Sequence, residues 1–389
     1  MRAKKCIAAS ILFGILMIGL TICTSAKVKI KENGEYRYRV LNQRSDEMRG
    51  RGTEFGIYDG IEQGISLDQY LGTEAEVEIP EEIDGLPVVY VGDRCFENNE
   101  KLQKVTIPES VRWVDGFGGC TNLRAVLMAD GICVIGRDCF VNCTSLEKID
   151  MPDSVRFIGG FEMYCASFDG CTSLKEIRFS QNLERIDSAA FAHCTSLEKV
   201  SLPEKLGYVP EACFEVCTSL KNVEIPDNYQ SISSGAFYGC SALKTIRLPE
   251  QLNYIGSLAF ADCTSLTEVA LPDKVKTIGK KTFKDCYSLK KIKLPKGLKT
   301  IGVNAFRGSG LKGITIPGEV TKIERCAFAR CASMKKIVLK GKNTKISPKA
   351  FKGIHADAVF QVPRGMVRIY YSRLTKRNTG FNPKSMKLM

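Results

Sequence analysis

One aromatic column limits what this chain can fold into more than any other feature. Phe96, Phe117, Phe140, Phe168, Phe191, Phe214, Phe237, Phe260, Phe283, Phe306, Phe328 and Phe351 follow one another at intervals of 21 to 28 residues, most of them 23. A Leu column lies six residues after most of these, at Leu123, Leu146, Leu174, Leu197, Leu220, Leu243, Leu266 and Leu289, with Met334 late in the series. Phe306 is followed at five residues by Leu311, so that unit is one residue short. Three residues after Leu comes Ile149, Ile177, Val200, Val223, Ile246, Val269, Ile292, Ile314 or Ile337, and a Pro closes most segments. At 389 residues the chain could hold two or three ordinary domains. A period this regular replaces that expectation with a stack of about twelve identical units.

The spacing has a structural meaning. In L-x-x-I-x-L the Ile and the second Leu share one face at period two, as on a strand. One unit cannot bury that face alone, so units stack and their strands form a parallel ladder. Pro ends the strand because it has no amide to donate. The predicted fold is a leucine-rich-repeat solenoid, a β-rich α/β arc of about twelve coils with a parallel concave sheet. At about 4.8 Å per strand its axis runs roughly 60 Å. The interval of 28 before Phe168 places about five extra residues around Gly159–Cys165, which read as a bulged surface loop.

The pattern A-F-x-x-C-T-S-L-x-x-I-x-L-P-x-x-V-x-x-I-G resembles the BspA-type leucine-rich repeat family, most closely at Ala259–Gly279, Ala236–Gly256 and Ser188–Pro203. The segment from Ala75 to Val88 is similar to that family's entry coil, and Val359–Pro363 with Tyr370 and Tyr371 to its exit cap. The resemblance implies an exported or surface-attached protein that binds other proteins, often as an adhesin. It spans about residues 54–375 and leaves residues 27–53 unassigned.

The two ends carry separate signals. Arg2, Lys4 and Lys5 precede an apolar run from Ile7 to Ile22, and Thr24, Ser25 and Ala26 follow. This order reads as a secretory signal peptide, residues 1–26, cleaved after Ala26. The alternative is an uncleaved membrane anchor. An N-terminal extension, 27–53, then leads into a solenoid with caps, 54–363, and a basic C-terminal tail, 364–389. The formal net charge of +13 conceals an asymmetry. Residues 271–389 hold 29 Lys and Arg against 5 Asp and Glu, whereas residues 1–270 hold 27 against 38. Such polarity bears on partners rather than on fold.

Nine of the seventeen cysteines occupy one repeat position, from Cys120 to Cys331. In an exported chain they could pair, but a repeated packing position explains them as a ladder of buried thiols. Cys133, Cys165 and Cys326 are the candidates for specific disulfides. The chain has two histidines, His193 and His355. No nucleophile–His arrangement, zinc-type cysteine pair or phosphate-cradling loop can be assembled, and every carboxylate is expected at a variable surface position. The expectation is therefore a protein that is not an enzyme and needs no cofactor or metal.

Residues two and four after each Leu point away from the core. The candidate ligand-binding face is Glu176, Arg178, Arg247, Glu268, Lys291, Lys293 and Lys336. Two functions fit: an adhesin-like module binding a protein on a host or other cell surface, or an envelope protein held by its basic end, 271–389, to anionic wall or membrane polymers. Nucleic acid is not expected, since export and the absence of aromatic residues among the lysines argue against it.

Overall fold

Each repeat forms one turn of a parallel β-solenoid in the computed structural model, which describes residues 29–42, 56–160 and 166–375. The proposed signal region, Cys165 with most of the inserted loop, and residues 376–389 lie outside the described residues. The turns contribute two strand rows. The Leu-x-x-Ile segments form a first ladder, including Lys148–Asp150, Glu176–Arg178, Lys291–Lys293, Gly313–Ile316 and Lys336–Leu339. The Val-x-x-Ile segments form a second ladder of mostly two-residue strands, such as Val134–Ile135 and Thr300–Ile301. Register follows the repeat: Ile149 lies beside Ile177, Val200 beside Val223, and Ile314 beside Ile337. The second ladder stands where an α/β arc would carry helices. Among the described residues the only helical elements are a 3-10 turn at Glu204–Leu206 and the helix Val367–Thr375.

The Phe column is the axis of the core. Its twelve rings are buried and stack from coil to coil with centroids 4.9–5.9 Å apart and planes within 3–17°. Stacked rings of this kind add about 0.5–1.5 kcal/mol per pair beyond their buried area. The column is closed at both ends. Tyr70 packs on Phe96 at 4.9 Å and Phe360 meets Phe351 edge-on at 5.1 Å.

The cysteine column runs beside it and is chemically distinct. Each of these thiols donates to the carbonyl of the Phe one coil earlier, as Cys120 does to Phe96 at 3.0 Å and Cys240 to Phe214 at 3.2 Å. The described cysteines are free. In the short coil Ser309 takes this position, buried, and its hydroxyl lies 3.3 Å from the Cys331 Sγ. Cys133 and Cys326 are half-buried thiols.

In most coils two left-handed residues flank the Phe, at two residues before and two after. Asp138, Lys281 and Asn304 occupy the first place, and Asn142, His193 and Asp285 the second. This explains why Gly, Asn and Asp recur there, and it exposes His193, whose ring lies 2.8 Å from Asp169.

Ends and exceptions complete the stack. Strands Lys31–Glu32 and Tyr36–Asn42 pair antiparallel, the latter also with Gln63–Tyr70, burying Tyr36, Tyr38 and Leu41. Residues 29–42 thus cap the first coil, although no repeat pattern marks them. At the other end the helix Val367–Thr375 buries Tyr370 and Leu374, and the Tyr370 hydroxyl donates to the Gly341 carbonyl at 2.5 Å. The expectation that all carboxylates sit on the surface needs correction. Asp115 and Asp187 are buried, because they replace the Gly that usually follows the second-ladder Ile. Asp115 accepts from the Tyr90 hydroxyl at 2.9 Å, and Asp187 from Arg185 at 2.6 Å.

Two outcomes follow from the paired columns. Phe237→Ala should cost about 3–5 kcal/mol, and because coils couple only to neighbours, it should split a single urea transition into two. Equilibrium unfolding followed by far-UV circular dichroism measures this, and an unchanged single transition would contradict a continuous spine. Burial also raises the thiol pKa values, that of Cys120 to about 12 and of Cys331 to about 11. The unfolded chain releases these protons above its ordinary value near 9, whereas the folded chain keeps them. Stability should be complete below that pH and fall through pH ~9–12 by up to about 1.4 kcal/mol per pH unit for each thiol. Urea midpoints from pH ~8 to ~11 check the sign, and a flat profile would contradict it.

Candidate interaction surface

The outward residues of the first ladder form a continuous face, since alternate side chains leave the core. Stacking places residues of successive coils side by side at about 4.8 Å, close enough for opposite charges to pair. Through the middle of the solenoid they do. Lys148 pairs Glu176 at 3.2 Å, Arg178 pairs Asp150 and reaches Asp153 at 3.8 Å, and Lys199 pairs Glu224 at 2.9 Å. The row immediately after Leu behaves alike, with Lys175 on Glu147 at 2.9 Å and Lys221 on Glu198 at 3.0 Å. The Lys175 hydrogen bond holds the Glu147 carboxyl below its ordinary range, and hydrogen bonds from Ser201 and then Lys199 do the same for Glu224. These pairs are about half exposed, so solvent screens them and they add little to stability. Their main effect is to leave the central face neutral.

Beyond Glu268 the compensation stops. The row after Leu reads Lys290, Lys312, Lys335, stacked through backbone bonds from Lys312 to Lys290 and from Lys335 to Lys312. The outward strand positions add Lys291, Lys293 and Lys336. Among the described residues none of these six lysines makes an ion pair. Glu319 is engaged with Lys299 at 2.7 Å and Glu324 with Lys322 at 2.5 Å, and the carboxylate in register with Lys291 is the single Glu268.

The ladder itself is interrupted here. No strand pairing joins Lys291–Lys293 to Gly313–Ile316, one of several breaks in the first ladder. At this break lies an open cavity of about 910 Å³. Lys290, Lys291, Lys293, Lys296, Lys312, Lys336 and Lys340 surround it, and Ile292, Leu294, Ile314, Val338 and Pro317 supply its apolar lining. Gly313, which stands in the row between Lys291 and Lys336, lines the opening.

Of the residues expected on the binding face, Lys291, Lys293 and Lys336 therefore meet at one cavity. The others do not join them. Glu176 and Arg178 are held by the pairs described above, Arg247 pairs Asp227 at 2.7 Å, and exposed Glu268 stands beside Lys291 in register. Lys290, Lys296, Lys312 and Lys340 were not among the expected residues. The column immediately after Leu carries two of them and could have been read from the repeat. Among the described residues no cluster of His, Cys, Asp and Glu could hold a metal, and no helix is long and apolar enough to cross a membrane.

An uncompensated row should be improvable. Lys312→Glu would place a carboxylate between Lys290 and Lys335, as Glu198 stands between its neighbours. Thermal melts should show a stability gain of about 0.3–1 kcal/mol at low salt that disappears near 1 M salt. A loss of stability at low salt would contradict the charge account.

Comparison with known proteins agrees with this architecture. The family model described as BspA type Leucine rich repeat region matches in six copies, over residues 75–165, 162–267 and 254–374. A leucine-rich repeat protein from Bacteroides ovatus is 25% identical, with 84% of this chain and 95% of that chain covered and a TM-score of 0.54. The pneumococcal vaccine antigen PcpA is 18% identical, with coverage of 93% and 98% and a TM-score of 0.55. A leucine-rich repeat protein from Eubacterium ventriosum is 20% identical, with coverage of 75% and 90% and a TM-score of 0.50. The latter two likenesses are of fold alone. Among curated proteins none matches the sequence.

Proposed function

The chain belongs to the BspA-type leucine-rich repeat family, and on that premise we propose that it is an exported, non-enzymatic module that binds protein at a cell surface in the manner of an adhesin. The observation that carries this reading is the cavity in the first ladder, where lysines stand without carboxylate partners around an apolar lining. From Glu147 to Glu224 on that face the coils neutralise one another. Unneutralised charge lowers the stability of the stack, so its concentration in one place favours a ligand that supplies the missing anions. Export rests on the N-terminal sequence, residues 1–26. The non-enzymatic reading rests on the histidines: His193 lies in an exposed turn beside Asp169, and His355 lies 3.8 Å from Asp357. Neither lines the cavity.

The same lysines favour a second reading, electrostatic retention on an anionic envelope polymer. Binding of the labelled protein to target cells separates the two. For a protein ligand, binding at ~0.15 M salt should saturate and should be lost when the target cells are first shaved with protease. Binding that survives shaving and elutes in high salt would overturn the protein-ligand reading in favour of the polymer.

A further inference from the structure

The cavity at the ladder break offers three kinds of contact together. Its rim is cationic, through Lys291, Lys336 and their neighbours. Its floor is apolar and wet: Ile292 and Leu294 are half-buried, whereas their counterparts Ile149, Ile337, Met151 and Leu339 are buried. Its wall is backbone, because the strands at Lys291–Lys293 and Gly313–Ile316 form no ladder with each other. The coil that follows the break is the one shortened by a residue, and it carries Gly313 where other coils project a side chain. A Cβ at Gly313 would come within 2.9 Å of the Lys336 carbonyl oxygen, so the opening is bounded closely by backbone on that side.

We propose that this cavity recognises an extended acidic peptide segment in which carboxylate and apolar side chains alternate. The proposal rests on the protein-binding reading and names the chemistry of its partner. Charge complementarity selects an anion. All the basic groups here are lysines, compact charges without the bidentate fork by which arginine selects a planar anion, so they answer to charge placement more than to anion shape. A hydrated polyanion such as a phosphate polymer or sulfated glycan would satisfy the rim and leave the apolar floor in water. An extended peptide sends successive side chains to opposite sides and carries its own amides. It can place apolar groups on Ile292 and Leu294, carboxylates on the lysines, and backbone groups against the broken edge. The volume of about 910 Å³ lies within the range that accepts a ligand of a few residues.

Fluorescence anisotropy on the full chain with three labelled decapeptides tests this: alternating Glu-Leu, alternating Glu-Ser with the same charge, and alternating Gln-Leu with the same apolar content. Glu-Leu should bind about tenfold tighter than either control. The double variant Lys291→Glu/Lys336→Glu should weaken it by about tenfold or more. Leu294→Ser, which keeps every lysine, should reduce Glu-Leu to the level of Glu-Ser and leave Glu-Ser unchanged. Thr315→Trp, which fills the opening without changing charge, should exclude Glu-Leu, and circular dichroism of each variant establishes that the fold is retained. Equal binding of Glu-Leu and Glu-Ser, or polyphosphate binding tighter than Glu-Leu and indifferent to Leu294→Ser, would overturn the proposal and make the cavity a general polyanion site. Loss of the peptide preference while protease-sensitive cell binding persists would reject this cavity alone. Loss of both would reject the protein-binding reading as well.

Discussion

Everything in this solenoid hangs on the coupling of one coil to the next through a phenyl ring and a thiol. The ring stacks on its counterpart one coil earlier, and the thiol three residues after that ring donates to the counterpart's carbonyl. Neither contact exists within a single coil. The buried Phe carbonyl accepts a backbone amide within its own coil, as Phe214 does from Cys217 at 3.3 Å, and the next coil's cysteine supplies a second donor that is small enough for the turn and weakly polar enough for the core. This division of labour accounts for the conspicuous number of cysteines without any disulfide framework. It also fixes the axial rise, because ring stacking and strand pairing both favour a spacing close to 5 Å.

A fixed rise turns the outer surface into rows, and rows make charge a cooperative property. In the middle coils the rows alternate in sign and close on themselves through exposed ion pairs. Toward the C-terminal end the alternation is abandoned, although the buried Phe column continues to Phe351. The core thus sets where the lysines stand, and few carboxylates stand beside them. The ladder break at Gly313 adds an apolar floor to that charge, which makes the place a cavity rather than a basic patch.

How much of this could be read from the sequence depended on periodicity. The Phe, Leu, Ile and Cys columns repeat, so the fold and the buried thiols were legible, and Lys291, Lys293 and Lys336 were legible as outward positions. Neutralisation was harder to see. Whether Arg178 is available depends on Asp150, a residue one coil back across an enlarged interval, and not on its own neighbours in the chain. The ladder break and the half-buried Ile292 follow from how coils pack, which a column of residue types does not encode. Asp115 and Asp187 looked like surface carboxylates because charge was weighed ahead of position; the Gly column they interrupt was the better guide. The cap formed by residues 29–42 has no repeat at all, and its pairing with Gln63–Tyr70 spans an interval that only the folded chain brings together.

On the proposed reading the solenoid engages its partner where its own charges are left unpaired. Hydrogen–deuterium exchange of the protein bound to a protein-bearing target surface, compared with the free protein, tests this most directly. Added protection should concentrate in residues 290–296 and 312–318, with the ion-paired coils around Glu176 and Glu198 unchanged. Protection centred on those neutralised coils or on the second ladder, with the lysine-lined segments exchanging as in the free protein, would contradict it.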